Sequence, residues 1–249
     1  MKPGVSAVVI TWNEASNIRD CLASVRWAAE TIVLDRFSTD DTAAIARECG
    51  ARVYQEEWKG FARQKNSAVE KAVSPWILSL DADERVSPLL AEEIQAVVGR
   101  PDALDGYHVP RKNFFDGRWI RHGGWHPDYV LRLFRKGSGR FQDRRVHERF
   151  LLEGKSGYLR SPIEHYTYRS VSDYLARMDR YSLLAAQEAA SDGKAAWSSL
   201  CLRPAFTFFK MYVLRGGFLD GKAGFFLAIS YAYYTFLKYY RVSIGDASE

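Results

Sequence analysis

Trp76-Ile77-Leu78-Ser79-Leu80-Asp81-Ala82-Asp83-Glu84 is the stretch whose reading decides the fold. Its apolar run is too short for a helix and is bounded by Ser74-Pro75, so it reads as a buried strand. The carboxylates follow where that strand leaves the sheet, the edge at which open α/β sheets bind ligands. Alternate residues of an extended chain face the same way, so Asp81 and Asp83 can converge on one hard cation. An isolated pair of this kind reads as a solvated strand end, and the preceding segments change that reading.

Working outward, Val5 to Ile10 is a β-rich run closed by Thr11-Trp12-Asn13-Glu14. Ile18, Leu22 and Val25 then recur at helical spacing. Thr31 to Asp35 is a second buried strand ending in an acid, and Ser38-Thr39-Asp40-Asp41 supplies capping groups for a helix through Cys49. Arg52 to Gln55 is a third strand and Phe61 to Ala72 a third helix; Ser87-Pro88 opens the helix after the carboxylates. Alternating strands and helices predict a Rossmann-like α/β fold with a mostly parallel sheet. Its strand ends gather Thr11 to Glu14, Asp35, Asp81 and Asp83 along one crevice. There is no glycine-rich phosphate loop after the first strand, which argues against a dinucleotide-binding or P-loop enzyme.

The 249 residues carry a net charge of +5, which suits an anionic substrate or a membrane surface. The cations form no recognised nucleic-acid module, and acids sit at the strand ends, so no nucleic-acid partner is expected. Cys21, Cys49 and Cys201 show neither metal-type nor redox spacing and fit a reducing compartment. Val5 to Ile10 is too short and too soon followed by Asn13, Glu14 and Arg19 to read as an export signal. A cytoplasmic protein, peripheral on the inner face of the membrane, is the expectation.

Thr11-Trp12-Asn13-Glu14, Val33-Leu34-Asp35 with Ser38-Thr39-Asp40, Gly60 to Asn66 and Leu80 to Glu84 occur in an order that resembles inverting family 2 glycosyltransferases of the GT-A fold. Within that family the chain resembles small bacterial enzymes that add a sugar to the lipopolysaccharide inner core. The family more often has Asp-Ser-Gly-Ser-Thr-Asp where this chain has Asp35-Arg36-Phe37-Ser38-Thr39-Asp40, which puts the local turn in question. The resemblance implies that Thr11, Asn13, Glu14 and Asp35 hold the nucleotide. Arg63 and Lys65 then meet base or diphosphate, unless they belong to a solvated helix face. It further implies that Asp81 meets ribose or the metal and that Asp83 coordinates Mg2+ or Mn2+, with His165 as a third ligand or a structural group.

From Gly106 the alternation stops. Tyr107 to Phe115 and Tyr129 to Phe134 read as strands around an aromatic and polar loop, Arg121 to Asp128, suited to a sugar. Arg132, Arg135, Lys136, Arg140, Arg144 and Arg145 make a basic region that is either a solvated edge or a seat for a phosphorylated acceptor. An inverting transfer needs a general base. The resemblance implies an acid in this half, with Glu148 first and Asp128 in reserve.

Ser172 to Ala190 reads as an amphipathic helix. Residues 204–241 are aromatic and flanked by cations, and the uncharged run Ala223 to Leu237 is short of the roughly 20 residues a span needs, so an interfacial helix is expected. The expected organisation is a GT-A domain over 1–170, with a nucleotide-sugar half (1–100) and an acceptor half (101–170), and a helical membrane-associating extension over 171–249. The leading function is metal-dependent transfer of a hexose, glucose from UDP-glucose, onto a lipopolysaccharide core or related lipid-linked saccharide. Alternatives are a polyprenyl-phosphate or capsular-polysaccharide transferase of the same fold, and a catalytically silent sugar-binding protein at the membrane.

Overall fold

A computed structural model describes residues 4–142, 149–168, 170–190 and 197–246. The chain divides into two compact units, residues 1–111 with 129–165, and residues 112–128 with 166–249.

The first unit opens with β1 (Val5–Thr11), α1 (Ile18–Ser24), β2 (Glu30–Asp35), α2 (Thr42–Glu48), β3 (Arg52–Gln55), α3 (Phe61–Glu70) and β4 (Trp76–Asp81). It continues through β5 (Glu84–Val86) and α4 (Pro88–Val98) to β6 (Gly106–Phe115), which runs on into the second unit. β7 (Arg118–Trp119) belongs to the second unit; β8 (Tyr129–Arg135), β9 (Gly139–Gln142), β10 (Arg149–Leu152), β11 (Ser156–Tyr158) and β12 (Ile163–His165) complete the first. The main sheet runs β3-β2-β1-β4-β8-β6-β12-β5. Strands β3, β2, β1 and β4 are mutually parallel as expected, whereas β8 joins β4 and β6 antiparallel. Val5, Ala7 and Val9 on β1 and Ile77, Leu78 and Leu80 on β4 have no exposed surface, the mark of central strands covered on both faces. Burial of each large aliphatic side chain contributes roughly 1.5–3 kcal/mol.

Register positions the site. Thr11 pairs with Asp35, Asp35 with Gln55, and Ile10 with Asp81, so the parallel strands end on one line. Ser87 caps α4 as expected, its Oγ accepting from Leu90 N at 3.2 Å with Pro88 in the first turn. The cap of α2 differs in detail. Asp41 makes no side-chain cap bond, and Asp40 accepts from Thr42 N at 3.0 Å instead.

The second unit contains α5 (Val171–Ala190), α6 (Trp197–Phe209) and α7 (Gly221–Ile244). α6 passes through a π turn (Lys210–Leu214) and a 3-10 turn (Gly217–Asp220) into α7. Phe115, Ile120, Tyr174, Met178 and Leu227 form its core, with Trp125, Tyr168 and Phe226 packed around them. α6 and α7 pair antiparallel, Arg203 bonding to Tyr239 and Thr207 lying 3.3 Å from Thr235. No helix among the described residues is long and apolar enough to cross a membrane.

Candidate active site

The ends of β1 and β2 form one hydrogen-bonded knot. Asp35 has no exposed surface. It accepts from Thr11 Oγ1 at 3.1 Å, Ser38 N at 2.9 Å, Gln55 Nε2 at 3.0 Å and the Ser38 hydroxyl, filling its acceptor positions. Asn13 donates its N–H to Ser38 Oγ at 2.9 Å and accepts from Thr39 N at 2.8 Å. The N–H of Glu14 donates to Thr42 Oγ1 at 2.8 Å, and its carboxylate accepts from Asn17. Thr11, Asn13, Glu14 and Asp35 are therefore brought together, each tied to a neighbouring loop. The turn survives the loss of its glycine: Phe37 itself adopts a left-handed φ of 47° and is 48% exposed.

Planar groups that sequence reading passed over stand at the same edge. The Arg36 guanidinium lies 4.9 Å from the Trp12 ring centroid and 5.0 Å from that of Trp58, and Trp58 meets Phe61 edge-on at 4.7 Å. Trp12 and Phe61 are exposed.

Beyond the end of β4 lies a cluster of opposite charges. Asp81 meets Lys65 Nζ at 3.0 Å through one oxygen and Arg132 through the other. Arg132 also donates to Glu84 at 2.6 Å, and Glu84 accepts from Asp81 N at 3.0 Å. Glu84 has no exposed surface, and Lys65 and Arg132 are nearly as deep. Two buried cations and two carboxylates meet here, and Arg111 adds a third cation 4.0 Å from Glu84. Burial disfavours the Asp81 charge, but Arg132 and Lys65 outweigh it and hold the carboxyl well below its ordinary range. Burial likewise opposes the Arg132 charge, and Asp81 and Glu84 raise its pKa nonetheless.

Two expectations are corrected by this cluster. Lys65 lies on a buried face of α3 and not on a solvated one, whereas Arg63 is exposed. Arg132 is no part of a basic surface, and Arg135 stacks on Trp76 at 4.6 Å while donating to Ala103 O at 3.1 Å. Gln64, 1% exposed, keeps both amide atoms without a hydrogen-bond partner among the described residues.

Asp83 stands outside this cluster and faces His165, whose Nε2 is 3.5 Å from its Oδ2. Burial opposes the His165 charge, but the hydrogen bond and charge of Asp83 raise its pKa. No group of three or more metal-ligating side chains occurs among the described residues. Carboxylate and imidazole nevertheless suit a divalent cation that takes its remaining ligands from phosphate and water. Asp81, by contrast, has each of its oxygens on a cationic side chain.

In the second unit Asp128 accepts from Asn113 Nδ2 at 3.3 Å, and Asn113 also donates to Trp125 O at 3.1 Å. Glu148 lies outside the described residues, as do Arg144 and Arg145. Cys21, Cys49 and Cys201 are all free thiols.

Residues 6–167 match the sequence model of the glycosyl transferase family 2. Over 246 residues the chain is 31% identical to the lipopolysaccharide core biosynthesis glycosyltransferase LpsC of Rhizobium meliloti, covering 94% of this chain and 89% of that protein. A Rickettsia felis protein described as an uncharacterized glycosyltransferase is 30% identical over 251 residues, with 94% and 87% covered. Among solved structures, the mannosyltransferase PcManGT from Pyrobaculum calidifontis, in complex with GDP-Man and Mn2+, gives a TM-score of 0.53 at 17% identity, covering 99% of this chain and 87% of that one. TarS of S. aureus, residues 1–349, gives 0.50 at 15% identity over 97% and 90%. Those two likenesses are of fold alone. With its carboxylates at the end of a parallel half-sheet, the chain has the GT-A architecture and belongs to glycosyl transferase family 2.

Proposed function

We propose that this chain transfers a hexose, glucose from UDP-glucose, with inversion onto a lipopolysaccharide core or a related lipid-borne saccharide at the inner face of the cytoplasmic membrane. The observation that carries the donor half is the common line of Thr11, Asp35, Gln55 and Asp81, set by strand register. The acceptor class is supported by the identity with LpsC along nearly the whole chain.

The nucleobase stacks at the edge made by Trp12, Arg36 and Trp58, since indole and guanidinium planes suit a flat ring. Asp35 keeps that edge in shape through Ser38, Thr11 and Gln55. Arg63, exposed on α3, meets the diphosphate from the solvent side. Asp81, held between Lys65 and Arg132, accepts from a ribose hydroxyl. Asp83 and His165 would hold Mg2+ or Mn2+, hard ions that suit carboxylate and imidazole ligands beside a diphosphate. When bound, such an ion neutralises the charge that grows on the departing diphosphate.

Glu148, with Asp128 in reserve, takes the proton of the acceptor hydroxyl as that oxygen attacks the anomeric carbon. The new glycosidic bond forms on the face opposite the one from which UDP leaves, which inverts the centre. Residues 204–241 rest on the membrane surface.

Incubation with labelled UDP-glucose, Mn2+ and core-truncated lipopolysaccharide tests this reading. Label should enter the lipopolysaccharide, and Glu148→Gln should abolish transfer while UDP binding stays within about twofold. Absence of both transfer and donor hydrolysis with UDP-, GDP- and ADP-sugars would sink it.

A further inference from the structure

The turn between α6 and α7 and the loop that follows β7 are joined by one carboxylate. Asp220 accepts from the backbone N–H of His122 at 2.8 Å and of Arg121 at 3.3 Å, and its Oδ1 also lies 3.1 Å from His122 Nδ1. The next N–H, of Gly123, donates to Arg215 O at 2.9 Å. Three successive loop amides are thus satisfied by the helical turn and not by the loop itself. The Arg215 side chain lies against Gly124, where a Cβ would stand 2.2 Å from its Nη1. Gly124 has a φ of 92°, a left-handed conformation that a side chain would strain.

The same turn carries an exposed apolar surface. Val213, Leu214, Phe218 and Leu219 are between 45% and 63% exposed. From Gly193 to Gly245 Asp220 is the only acid, against seven Lys and Arg. That single acid is turned inward, its side chain 8% exposed. What remains outside at the turn is apolar side chains among exposed Lys210, Arg215 and Lys222, the complement of an anionic lipid headgroup layer and its acyl boundary.

We propose that Asp220 is a positioning residue: it transmits docking of this turn on an anionic bilayer to the loop 120–128, setting the loop for an acceptor held in that bilayer. This rests on the reading that residues 204–241 face lipid and that the acceptor is lipid-borne. The loop holds Trp125, His126 and Asp128 and runs directly into β8, four residues before Arg132. A loop clasped at three consecutive amides takes its order from whatever holds the turn. With the turn on the membrane, the loop is ordered at the depth where a lipid-linked sugar is presented.

Hydrogen exchange of the full-length protein, with and without vesicles of phosphatidylglycerol and phosphatidylcholine, tests the coupling without needing turnover. In the wild type, vesicles should slow exchange at least fivefold in peptides covering 210–220 and also in those covering 120–128. Asp220→Ala should keep vesicle partitioning within twofold and keep the slowing in 210–220, but lose it in 120–128. Asp220→Asn, which retains one acceptor oxygen, should fall between, and unchanged UDP binding will show that both variants are folded. The proposal is overturned if vesicles leave 120–128 unaffected in the wild type, or if Asp220→Ala retains the slowing there. It is equally overturned if vesicles do not bind and the turn is instead protected by self-association. Because this readout uses no acceptor, a wrong sugar acceptor would show only in the transfer assay. Where transfer is measured, Asp220→Ala should raise KM for lipopolysaccharide in vesicles about tenfold with kcat little changed, and leave the delipidated core oligosaccharide unaffected.

Discussion

Lys65, in the middle of α3, is buried 3.0 Å from Asp81, whose other oxygen is taken by Arg132 on β8. Removing one member of such a cluster strands the others, which costs more than the net worth of the pairing. Asp81→Asn should therefore lower stability by ~2–3 kcal/mol, below the full cost of an orphaned charge because Glu84 still pairs with Arg132. Urea unfolding measures it. Donor affinity, read by calorimetry with UDP-glucose, should fall in the same variant.

Asp83 and His165 give a separate prediction. Asp83→Asn and His165→Gln should each weaken Mn2+-dependent UDP binding at least about tenfold, with thermal stability nearly unchanged. Chelation with EDTA should bring the wild type to the level of the variants. A wild-type affinity that is insensitive to EDTA would remove these two residues from a metal site.

The turn at Phe37 stores strain. A non-glycine residue at a left-handed φ costs about 1 kcal/mol or more, and glycine relieves it while loosening the unfolded chain. Phe37→Gly is expected to stabilise the fold by ~0.5–1 kcal/mol, and Phe37→Val to destabilise it, as read from urea midpoints. Retention of UDP affinity in Phe37→Gly would show that the ring is dispensable for the donor.

Stacking at the nucleotide edge is tested at Trp12. Base–aromatic stacking is worth about 1–3 kcal/mol per base, so Trp12→Ala should weaken UDP binding at least about fivefold. Free phosphate or diphosphate should bind as before. Equal losses for UDP and diphosphate would count against a base contact.

Glu56, just before α3, is a source of acid sensitivity. Lys59, then Lys71 and Ser67, stabilise the ionised Glu56 against the opposing effect of burial and lower its pKa from 4.5 to about 2. A depressed carboxylate contributes stability that is fully present above its unfolded pKa and lost as pH falls through the folded one. The stability gap between wild type and Glu56→Gln should thus be full above pH 4.5 and close toward pH 2. Chemical unfolding at stepped pH will trace it.

The parallel half of the sheet was legible because its signals are local. β4 reads as a strand from its own six residues, and Ser87-Pro88 starts α4 by the chemistry of those two side chains. Asp81, Asp83 and Asp35 were legible for the same reason: strand ends of a parallel sheet fall on one edge whatever the rest of the chain does. Glu84, directly behind the pair, drew no role, because nothing local marks a carboxylate that will be wholly enclosed. Arg132 looked like one cation of a basic run, and its partner lies 51 residues away.

The sequence by itself determined the alternation of strands and helices, the carboxylates at the strand ends and, through their order, the glycosyl transferase family. These follow from side-chain period and backbone preference, which act over a few residues. Tertiary structure alone decided which charges are neutralised and which stay available. The antiparallel entry of β8 beside β4 puts Arg132 against Asp81 and Glu84, leaving Asp83 to face His165. It also decided that Phe37 takes the left-handed turn its family more often gives to glycine, and that Asp220 holds the loop after β7. Each of these depends on register and packing between distant segments, where the partner of a side chain is set by the fold and not by its neighbours in the chain.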